Sequence, residues 1–441
     1  MFEVLVNTEL LAPAGSLKAM RLAFAYGADA VYAGQPRFSL RVRNNEFDLP
    51  RLKQGIDEAH QQGKKFYLVV NIAPHNSKLS RFVEEMAPAV ALGPDALIVS
   101  DPGVLYLLRE HFPQVPLHLS VQANTVNWAA VKFWQQLGIE RVILSRELAL
   151  DEIAEIRRQV PAMELEVFVH GALCMAYSGR CLLSGYFNKR DPNQGACTNA
   201  CRWSYQLHQA TEDAVGQFVP VSAPVLLEEQ GRPGELMSME EDEHGSYILN
   251  SKDLRAVEFV PDLLTMGVHS LKIEGRTKSP YYVARTTQVY RRAIDDAAAG
   301  KGFDPALLQE LEGMANRGFT AGFLQRHQPQ QLQNYQTSHS EGQQVLVGEF
   351  TGGIDRMGRA ELEVKNRFAV TDALLLMHPS GNQWLTAVDL RDAQGQAVLV
   401  APGSGYTLYL ALPDGLEPQH AMLIRQSRNV PHCEEASCRC G

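Results

Sequence analysis

Short apolar runs alternate with amphipathic stretches along the first 172 residues, and this alternation restricts the fold more than any other feature. In the stretch 148–160, Leu150, Ile153, Ile156 and Val160 recur at the spacing of one helix face. Seven strand–helix units in a row predict a parallel sheet with helices packed outside it. The seven runs are ELLAPAG (9–15), DAVYAG (29–34), KKFYLVVN (64–71), DALIVSD (95–101), PLHLSVQAN (116–124), RVILSRE (141–147) and ELEVFVHGA (164–172).

An eighth unit follows much later in the chain. The run SLKIEGR (270–276) precedes the helical pattern SPYYVARTTQVYRRAIDDAAA, in which Pro280 stands at the first helical position. Ser16 and Asp151 stand where N-caps of earlier helices are expected. Eight units favour a closed (β/α)8 barrel of the TIM type over an open doubly wound sheet. No G-x-G-x-x-G motif follows the first run, which also weighs against a dinucleotide-binding sheet.

Changes in the pattern of apolar and polar residues divide the chain into three regions. Residues 1–335 are predicted to form the barrel, with a cysteine-bearing insertion over 173–250 and a helical linker at the end. Residues 340–427 alternate apolar and polar positions between glycine turns, which predicts a small all-β, barrel-like domain. The polar tail 428–441 is expected to be flexible.

Charge and hydropathy narrow the functional classes. The formal net charge of −9 argues against loose, nonspecific binding of nucleic acids or membranes, but it leaves room for a local basic patch. The first fifteen residues lack the basic start of a signal peptide, and no apolar run approaches the ~20 residues that span a bilayer. We therefore expect a cytoplasmic protein without a membrane partner.

Polar residues follow the ends of the predicted strands, where the active site of a parallel barrel lies. We predict His170 and Glu274 as catalytic groups, and Gln122 and Asn124 as amides that read a substrate. The alternative for each is a helix cap or a satisfied loop residue, and Asp101 before Pro102 fits a cap best. The full set is Asn71, Asp101, Gln122, Asn124, Arg146, Glu147, His170, Lys272, Glu274 and Arg276.

Basic residues also cluster after the strands. They predict a rim that contacts phosphates, the alternative being scattered solvated charges. The rim comprises Arg41, Arg43, Lys189, Arg190 and Arg276.

Four of the seven cysteines fall within 28 residues, directly after the seventh run. Their spacing is C-x6-C-x15-C-x3-C, formed by Cys174, Cys181, Cys197 and Cys201. Four thiolates can enclose an iron–sulfur cluster or one zinc ion. The spacing matches neither the usual zinc knuckles nor the bacterial ferredoxin run, so cluster, zinc and unmetallated cysteines all stay open.

Two further observations concern protease motifs and the cysteines of the tail. The motifs H-E-x-x-H and G-x-S-x-G are absent, which leaves a cysteine nucleophile beside His170 as the route to a peptidase. Three more cysteines, Cys433, Cys438 and Cys440, lie in the tail, and we predict no role for them.

Five blocks of the sequence resemble the collagenase-like peptidases, the unclassified group numbered thirty-two. These are EVFVHGALCMAYSGRCLLS, YAGQPRFSLRVRNNEF, HLSVQANTVNWAAVKFWQQLGI, SGYFNKRDPNQGACTNACRW and VHSLKIEGRTKS. The resemblance covers the barrel, the insertion and the small β domain.

The resemblance carries functional expectations. Several branches of the family hydroxylate RNA or quinone precursors without molecular oxygen and hold a [4Fe–4S] cluster. It implies Cys174, Cys181, Cys197 and Cys201 as ligands of that cluster. The branch that the blocks resemble implies formation of 5-hydroxyuridine at the wobble position of tRNA, with prephenate as a linked metabolite and an unspecified redox partner. A thiol peptidase and a noncatalytic tRNA-binding scaffold are the alternatives.

Overall fold

A computed structural model describes residues 8–40, 46–173, 252–316, 318–325, 344–385 and 388–426, with six short strands between residues 209 and 246. The chain forms two compact units. One unit comprises residues 1–308 and 316–340, and the other comprises residues 309–315 and 341–441.

The first unit contains sixteen of the described strands. They are β1 (Glu9–Pro13), β2 (Ala30–Gly34), β3 (Lys65–Val70), β4 (Ala96–Val99), β5 (Leu117–Leu119), β6 (Arg141–Ile143), β7 (Glu164–Ala172), β8 (Gln209–Glu212), β9 (Phe218–Val221), β10 (Leu226–Glu228), β11 (Leu236–Ser238), β12 (Glu241–Asp242), β13 (Gly245–Ser246), β14 (Asp253–Arg255), β15 (Ser270–Ile273) and β16 (Phe319–Thr320).

The described helices alternate with the barrel strands. They are α1 (Leu17–Ala25), α2 (Leu49–Gln61), α3 (Asn76–Leu79), α4 (Phe82–Val90), α5 (Pro102–His111), α6 (Trp128–Gln136), α7 (Leu150–Gln159), α8 (Val260–Thr265), α9 (Pro280–Ala298) and α10 (Ala306–Glu312).

Eight parallel strands close into a barrel, as the sequence predicts. Strands β1 to β7 pair in chain order, and β15 closes the ring by pairing with both β7 and β1. Every residue of β1 and β2 is buried, which is typical of parallel strands covered by helices on one side and by the barrel interior on the other. All eight strands therefore deliver their carboxyl ends to one mouth.

Hydrogen-bonding caps fix where the helices begin. Ser16 accepts from the backbone N–H of Ala19 at 3.2 Å, and Pro280 opens α9, both as predicted. The prediction that Asp151 caps α7 is wrong. The N-cap is Ala149, whose N–H donates to the Glu152 side chain, so the acidic residues occupy the first turn instead.

Strand β7 is longer than its neighbours and carries extra structure at its end. β14 pairs antiparallel with the last residues of β7, and β16 pairs parallel with β14. The pairing of β7 with β15 is regular up to Phe168 and Lys272, and the next pair is His170 and Ile273. One extra residue in β7 therefore forms a β-bulge at the barrel mouth.

Between residues 209 and 246 the backbone forms three antiparallel ladders, β8–β9, β10–β11 and β12–β13. Among the helices of the described part of the chain, none is both long and apolar enough to cross a membrane.

The second unit is an antiparallel β domain. A seven-stranded sheet has the order β21-β20-β25-β17-β18-β24-β22, and β19 pairs with β23. Its core includes Val347, Leu362, Leu374 and Leu423, which are fully buried. The strands are β17 (Gln344–Ile354), β18 (Ala360–Val364), β19 (Phe368–Ala369), β20 (Ala373–Met377), β21 (Gln383–Leu385), β22 (Leu390–Arg391), β23 (Val400–Ala401), β24 (Thr407–Leu410) and β25 (Met422–Gln426).

Candidate active site

A chain of ion pairs runs through the interior of the barrel. Glu166 of β7 is completely buried and accepts hydrogen bonds from Lys272 Nζ at 2.7 Å and from Arg141 Nη1 at 3.3 Å. Arg141 Nη1 also donates to Glu9 Oε1 at 2.5 Å. Two carboxylates thus compensate two cations, and such pairing is what makes buried charge tolerable.

The ionisation of this chain follows from burial and pairing. Burial by itself raises the pKa of Glu9, but the charge and hydrogen bond of Arg141 outweigh it and leave that pKa below its usual value. Burial lowers the pKa of Lys272, and Glu166 opposes this by charge and by hydrogen bonding. The hydrogen bond to Glu166 fixes the position of the Lys272 ammonium below the mouth.

The sequence reasoning missed Glu9, Arg141 and Glu166 as site residues. The signal that could have found them is a charged residue inside a run that is otherwise apolar. A strand buried on both faces has no solvent-facing position for such a residue. Each of these charges therefore requires a partner inside the barrel.

Tyr32 of β2 lies between the ion-pair chain and the mouth. Its ring centroid is 4.4 Å from Lys272 Nζ, and its hydroxyl is 3.0 Å from Glu274 Oε2 and 2.9 Å from the carbonyl oxygen of Ile273. Burial raises the pKa of Tyr32 well above its usual value, and the neighbouring Glu274 charge raises it further. The protonated hydroxyl is therefore a donor that orients Glu274.

Arg276 approaches the same tyrosine from the loop after β15. Its guanidinium carbon lies 5.7 Å from the Tyr32 ring centroid, and Nη1 donates to Ser39 Oγ at 2.5 Å. Gly34 makes this approach possible, because a Cβ at that position would lie 2.6 Å from Arg276 Nη1. The predicted rim residue Arg276 is thus largely buried and belongs to the mouth itself.

Arg146 of the loop after β6 contributes a third cation. Its guanidinium carbon lies 4.0 Å from the Phe168 ring centroid, and Nη1 donates to the carbonyl oxygen of Ala172 at 2.6 Å. Lys272 Nζ lies 5.4 Å from the same ring. Three cations therefore surround two aromatic faces, an arrangement suited to a ligand with anionic or carbonyl oxygens.

A hydrogen-bond relay fixes Gln122 on the turn after β5. The backbone N–H of Leu40 donates to Asn71 Oδ1 at 3.2 Å, and Asn71 Nδ2 donates to Gln122 Oε1 at 2.8 Å. Ser120 Oγ donates to the same Gln122 oxygen. The acceptor atom of Gln122 is thus engaged within the protein, whereas Gln122 remains partly exposed at the mouth.

Asn124 has a local structural role in the described residues. It adopts the left-handed conformation with φ 52°, and its Nδ2 donates to the backbone oxygen of Gln122 at 2.9 Å. Asn124 therefore closes the turn that carries Gln122. Asp101 is a helix cap, since its Oδ1 accepts from the Val104 N–H at 2.9 Å.

His170 lies on the outer side of β7, under α9. Its ring centroid is 5.5 Å from those of Tyr290 and Phe319 and 5.8 Å from that of Tyr282. Burial lowers its pKa to about 3, so the imidazole is neutral. The β-bulge explains why the His170 side chain faces outward. Side chains alternate between the two faces of a strand, so without the extra residue position 170 would face inward, as Phe168 does.

His170 and Glu274 are joined through the backbone. The Glu274 N–H donates to the His170 carbonyl oxygen at 2.9 Å, and the Tyr282 hydroxyl donates to the Glu274 carbonyl oxygen at 2.8 Å. Gly171 fits between them with φ 108°, where a Cβ would lie 2.5 Å from the Glu274 oxygen. The structure thus brings the two loops together and leaves the Glu274 carboxylate next to Tyr32.

Glu147 lies on the loop after β6, where its carboxylate accepts a hydrogen bond from Ser145 Oγ. The remaining predicted site residues lie outside the described residues. In the described ranges, no group of three or more His, Cys, Asp or Glu side chains is placed to hold a metal ion. The residues outside these ranges are Arg41, Arg43, Lys189, Arg190, Cys174, Cys181, Cys197, Cys201, Cys433, Cys438 and Cys440.

Comparison with known proteins gives matches along nearly the whole chain. The profile of peptidase family U32 matches residues 15–334, and that of the peptidase family U32 C-terminal domain matches residues 342–425. The chain is 61% identical to tRNA hydroxylation protein P of Escherichia coli K12, over 95% of this chain and 96% of that protein. It is 57% identical to tRNA hydroxylation protein P of Haemophilus influenzae, over 96% of this chain and 97% of that protein.

A more distant relative acts on a different RNA. The 23S rRNA 5-hydroxycytidine C2501 synthase of Escherichia coli K12 is 34% identical over 67% of this chain and 40% of that protein. Relatives named for RNA hydroxylation thus occur at both high and moderate identity.

Proposed function

The chain belongs to peptidase family U32. We propose that it hydroxylates tRNA, the reaction for which two relatives of high identity are named, and that its product is 5-hydroxyuridine at the wobble position. The observation that carries the proposal is 61% identity over 95% of the chain to a tRNA hydroxylation protein. The net change is replacement of the C5–H bond of uridine by C5–OH. This is a two-electron oxidation of the base. With water in place of O2 as the oxygen source, the reaction releases two protons and two electrons, and the proposed redox partner accepts the electrons.

The wobble base binds at the barrel mouth in this proposal. An enzyme that modifies a base takes it out of the stack and reads its edge by hydrogen bonds. We propose that Gln122, on the turn that Asn124 closes, reads that edge. The rim residues Arg41, Arg43, Lys189 and Arg190 are proposed to bind tRNA phosphates, a contribution that weakens as salt rises.

Iron is the cofactor that the proposal requires. A [4Fe–4S] cluster held by Cys174, Cys181, Cys197 and Cys201 would supply electron transfer. Zinc is the alternative occupant of the same thiols, and it would be structural because it has no redox chemistry. These cysteines begin directly after Leu173, the last described residue of the segment that follows β7. Anaerobically purified protein should be brown and contain about four irons per chain. Stoichiometric zinc without iron would overturn the cluster.

The described residues supply binding and proton transfer. Glu274 is the proposed acid–base group, because Tyr32 holds its carboxylate at the mouth and Lys272 lies beneath that tyrosine. Arg146 and Arg276 are placed to bind carboxylates, and prephenate is the linked small acid that we propose there. The catalytic role predicted for His170 remains a prediction, and its neutral, packed ring favours an effect through the position of β7.

The experiment is gene deletion in the source organism followed by mass spectrometry of tRNA nucleosides. The deletion strain should lack 5-hydroxyuridine and its derivatives at the wobble position, and the wild-type gene should restore them. A second enzyme with the same activity must be deleted as well. Full modification in such a strain would reject the proposal. The reaction belongs in the cytoplasm, where tRNA is found.

The family name supports a second candidate, a peptidase acting through a cysteine thiol. Purified protein that cleaves a collagen peptide, and loses this activity on Cys174→Ala, would favour it. A noncatalytic scaffold is the third possibility. In that case the protein would still bind tRNA. Substitutions at the mouth would leave wobble modification unchanged in cells that contain the intact partner enzyme.

A further inference from the structure

The relay through Asn71 determines which atoms Gln122 offers to a ligand. A backbone N–H can only donate, so the Leu40 N–H identifies the Asn71 side-chain atom it contacts as the oxygen. The other Asn71 atom is therefore the NH2 group, which donates to Gln122. The Gln122 atom facing it must be the carbonyl oxygen, because the reverse orientation would set two NH2 groups against each other.

Gln122 consequently presents its NH2 group at the mouth. Its Oε1 already accepts from Asn71 and from Ser120. Across the described part of the chain, no side chain or backbone oxygen accepts a hydrogen bond from Gln122 Nε2, and Gln122 is partly exposed. Gln122 is therefore held as a donor, with two N–H bonds available to a bound molecule.

We propose that Gln122 is the residue that selects uracil over cytosine, by donating to the 4-oxo group of the bound base, and that Asn71 is the positioning residue that enforces this choice. The inference rests on the proposed function and names its base specificity. Uracil carries an acceptor oxygen at position 4, next to the reacting C5. Cytosine carries an NH2 donor there, so two donors would face each other, and sites built on hydrogen bonds reject such analogues.

The relay predicts an unusual result for a substitution away from the base. Asn71→Asp replaces the NH2 group by an acceptor, which still accepts from the Leu40 N–H. Gln122 should then rotate, donate its NH2 group to Asp and to Ser120, and present its oxygen at the mouth. Cytosine becomes the matched base, although the residue next to the base is unchanged. Gln122→Glu places an acceptor, a carboxylate oxygen, at the mouth directly. It should therefore also shift the preference towards cytosine.

The test uses the purified full-length protein and two tRNA anticodon stem-loops that differ in one base, uridine or cytidine at the wobble position. Their dissociation constants are measured by fluorescence anisotropy at one salt concentration. Wild type should bind the uridine stem-loop about tenfold more tightly, the loss expected when a polar group at a site is left unpaired. Asn71→Asp and Gln122→Glu should each abolish or invert this ratio.

Asn127→Asp is the matched control. It makes the same chemical change as Asn71→Asp, but on the segment after β5 that carries Gln122. Asn127 is an exposed helix cap that accepts from the Ala130 N–H at 2.9 Å, a role that a carboxylate retains. The control should keep the wild-type ratio. Because a ratio is measured, a uniform loss of RNA affinity from the added charge does not affect it.

The outcomes separate the two claims. If cells that lack this gene and any second enzyme with the same activity keep wobble 5-hydroxyuridine, the proposed function is rejected and this inference with it. If the modification depends on the protein, but wild type shows no preference or both variants keep it, base selection by Gln122 alone is rejected. If Asn71→Asp does not fold, Gln122→Glu decides the outcome.

Discussion

The neutral state of His170 makes a quantitative prediction about stability and pH. The imidazole is 2% exposed, and burial lowers its pKa to about 3 in the folded protein. In the unfolded chain a histidine has a pKa of about 6.5. As the pH falls below 6.5, the unfolded chain takes up a proton that folded His170 does not, so stability is lost. Above about pH 6.5 both states are neutral and the effect vanishes.

The size of the effect follows from the two pKa values. A pH of 5 lies about 1.5 units below the pKa of the imidazole in the unfolded chain. Protonation of the unfolded chain therefore favours unfolding by roughly 2 kcal/mol. His170→Phe removes the titrating group and keeps a ring among Tyr282, Tyr290 and Phe319. Between pH 8 and pH 5, the free energy of unfolding should therefore decrease by about 2 kcal/mol less in the variant than in wild type.

Urea unfolding followed by circular dichroism at the two pH values measures this difference. An exposed histidine, His75, provides the matched control, and His75→Phe should leave the wild-type pH dependence in place. Imidazole NMR of histidine-labelled protein offers an independent readout, in which the ring signals that disappear in His170→Phe should be those of a neutral imidazole at pH 5. Equal loss of stability in wild type and His170→Phe would refute the assignment of a neutral, buried imidazole.

Three further variants, two single and one double, have defined outcomes. Glu166→Gln should destabilise the protein by about 3–5 kcal/mol in denaturant unfolding, because it leaves the buried Lys272 ammonium uncompensated; a loss below ~1 kcal/mol would contradict the ion-pair chain. Gly171→Ala should cost at least ~1 kcal/mol, since φ is 108° and a Cβ would clash, and unchanged unfolding would show that the loop relaxes freely. Lys189→Ala with Arg190→Ala should flatten the salt dependence of tRNA binding, and equal slopes would remove both residues from the interface.

The barrel could be predicted because its signals are local. Each strand is a short apolar run, several helices begin at a capping side chain or a proline, and eight such units have few ways to bury their surfaces. Ser16 and Pro280 illustrate how single residues mark helix starts. The exception, Asp151, shows that a first-turn acid resembles a cap in sequence.

The site could be predicted only in part, because its geometry depends on pairing between distant segments. The bulge that turns His170 outward is a register shift between β7 and β15, although β15 begins 98 residues after the end of β7. The contact between Asn71 and Gln122 likewise joins the ends of two strands 51 residues apart. Residue type predicted Gln122 as an amide that reads a substrate, but only the relay shows that its oxygen is engaged within the protein and that its NH2 group is the donor.

The most direct test of the central claim pairs two cysteine substitutions in the deletion strain. Wobble 5-hydroxyuridine and the iron content of the purified protein are measured for Cys174→Ala and for Cys438→Ala. The account predicts that Cys174→Ala loses both the iron and the modification, whereas Cys438→Ala keeps both. A Cys174→Ala protein that lacks iron and still restores 5-hydroxyuridine would contradict the claim that a cysteine-bound cluster drives the hydroxylation of tRNA.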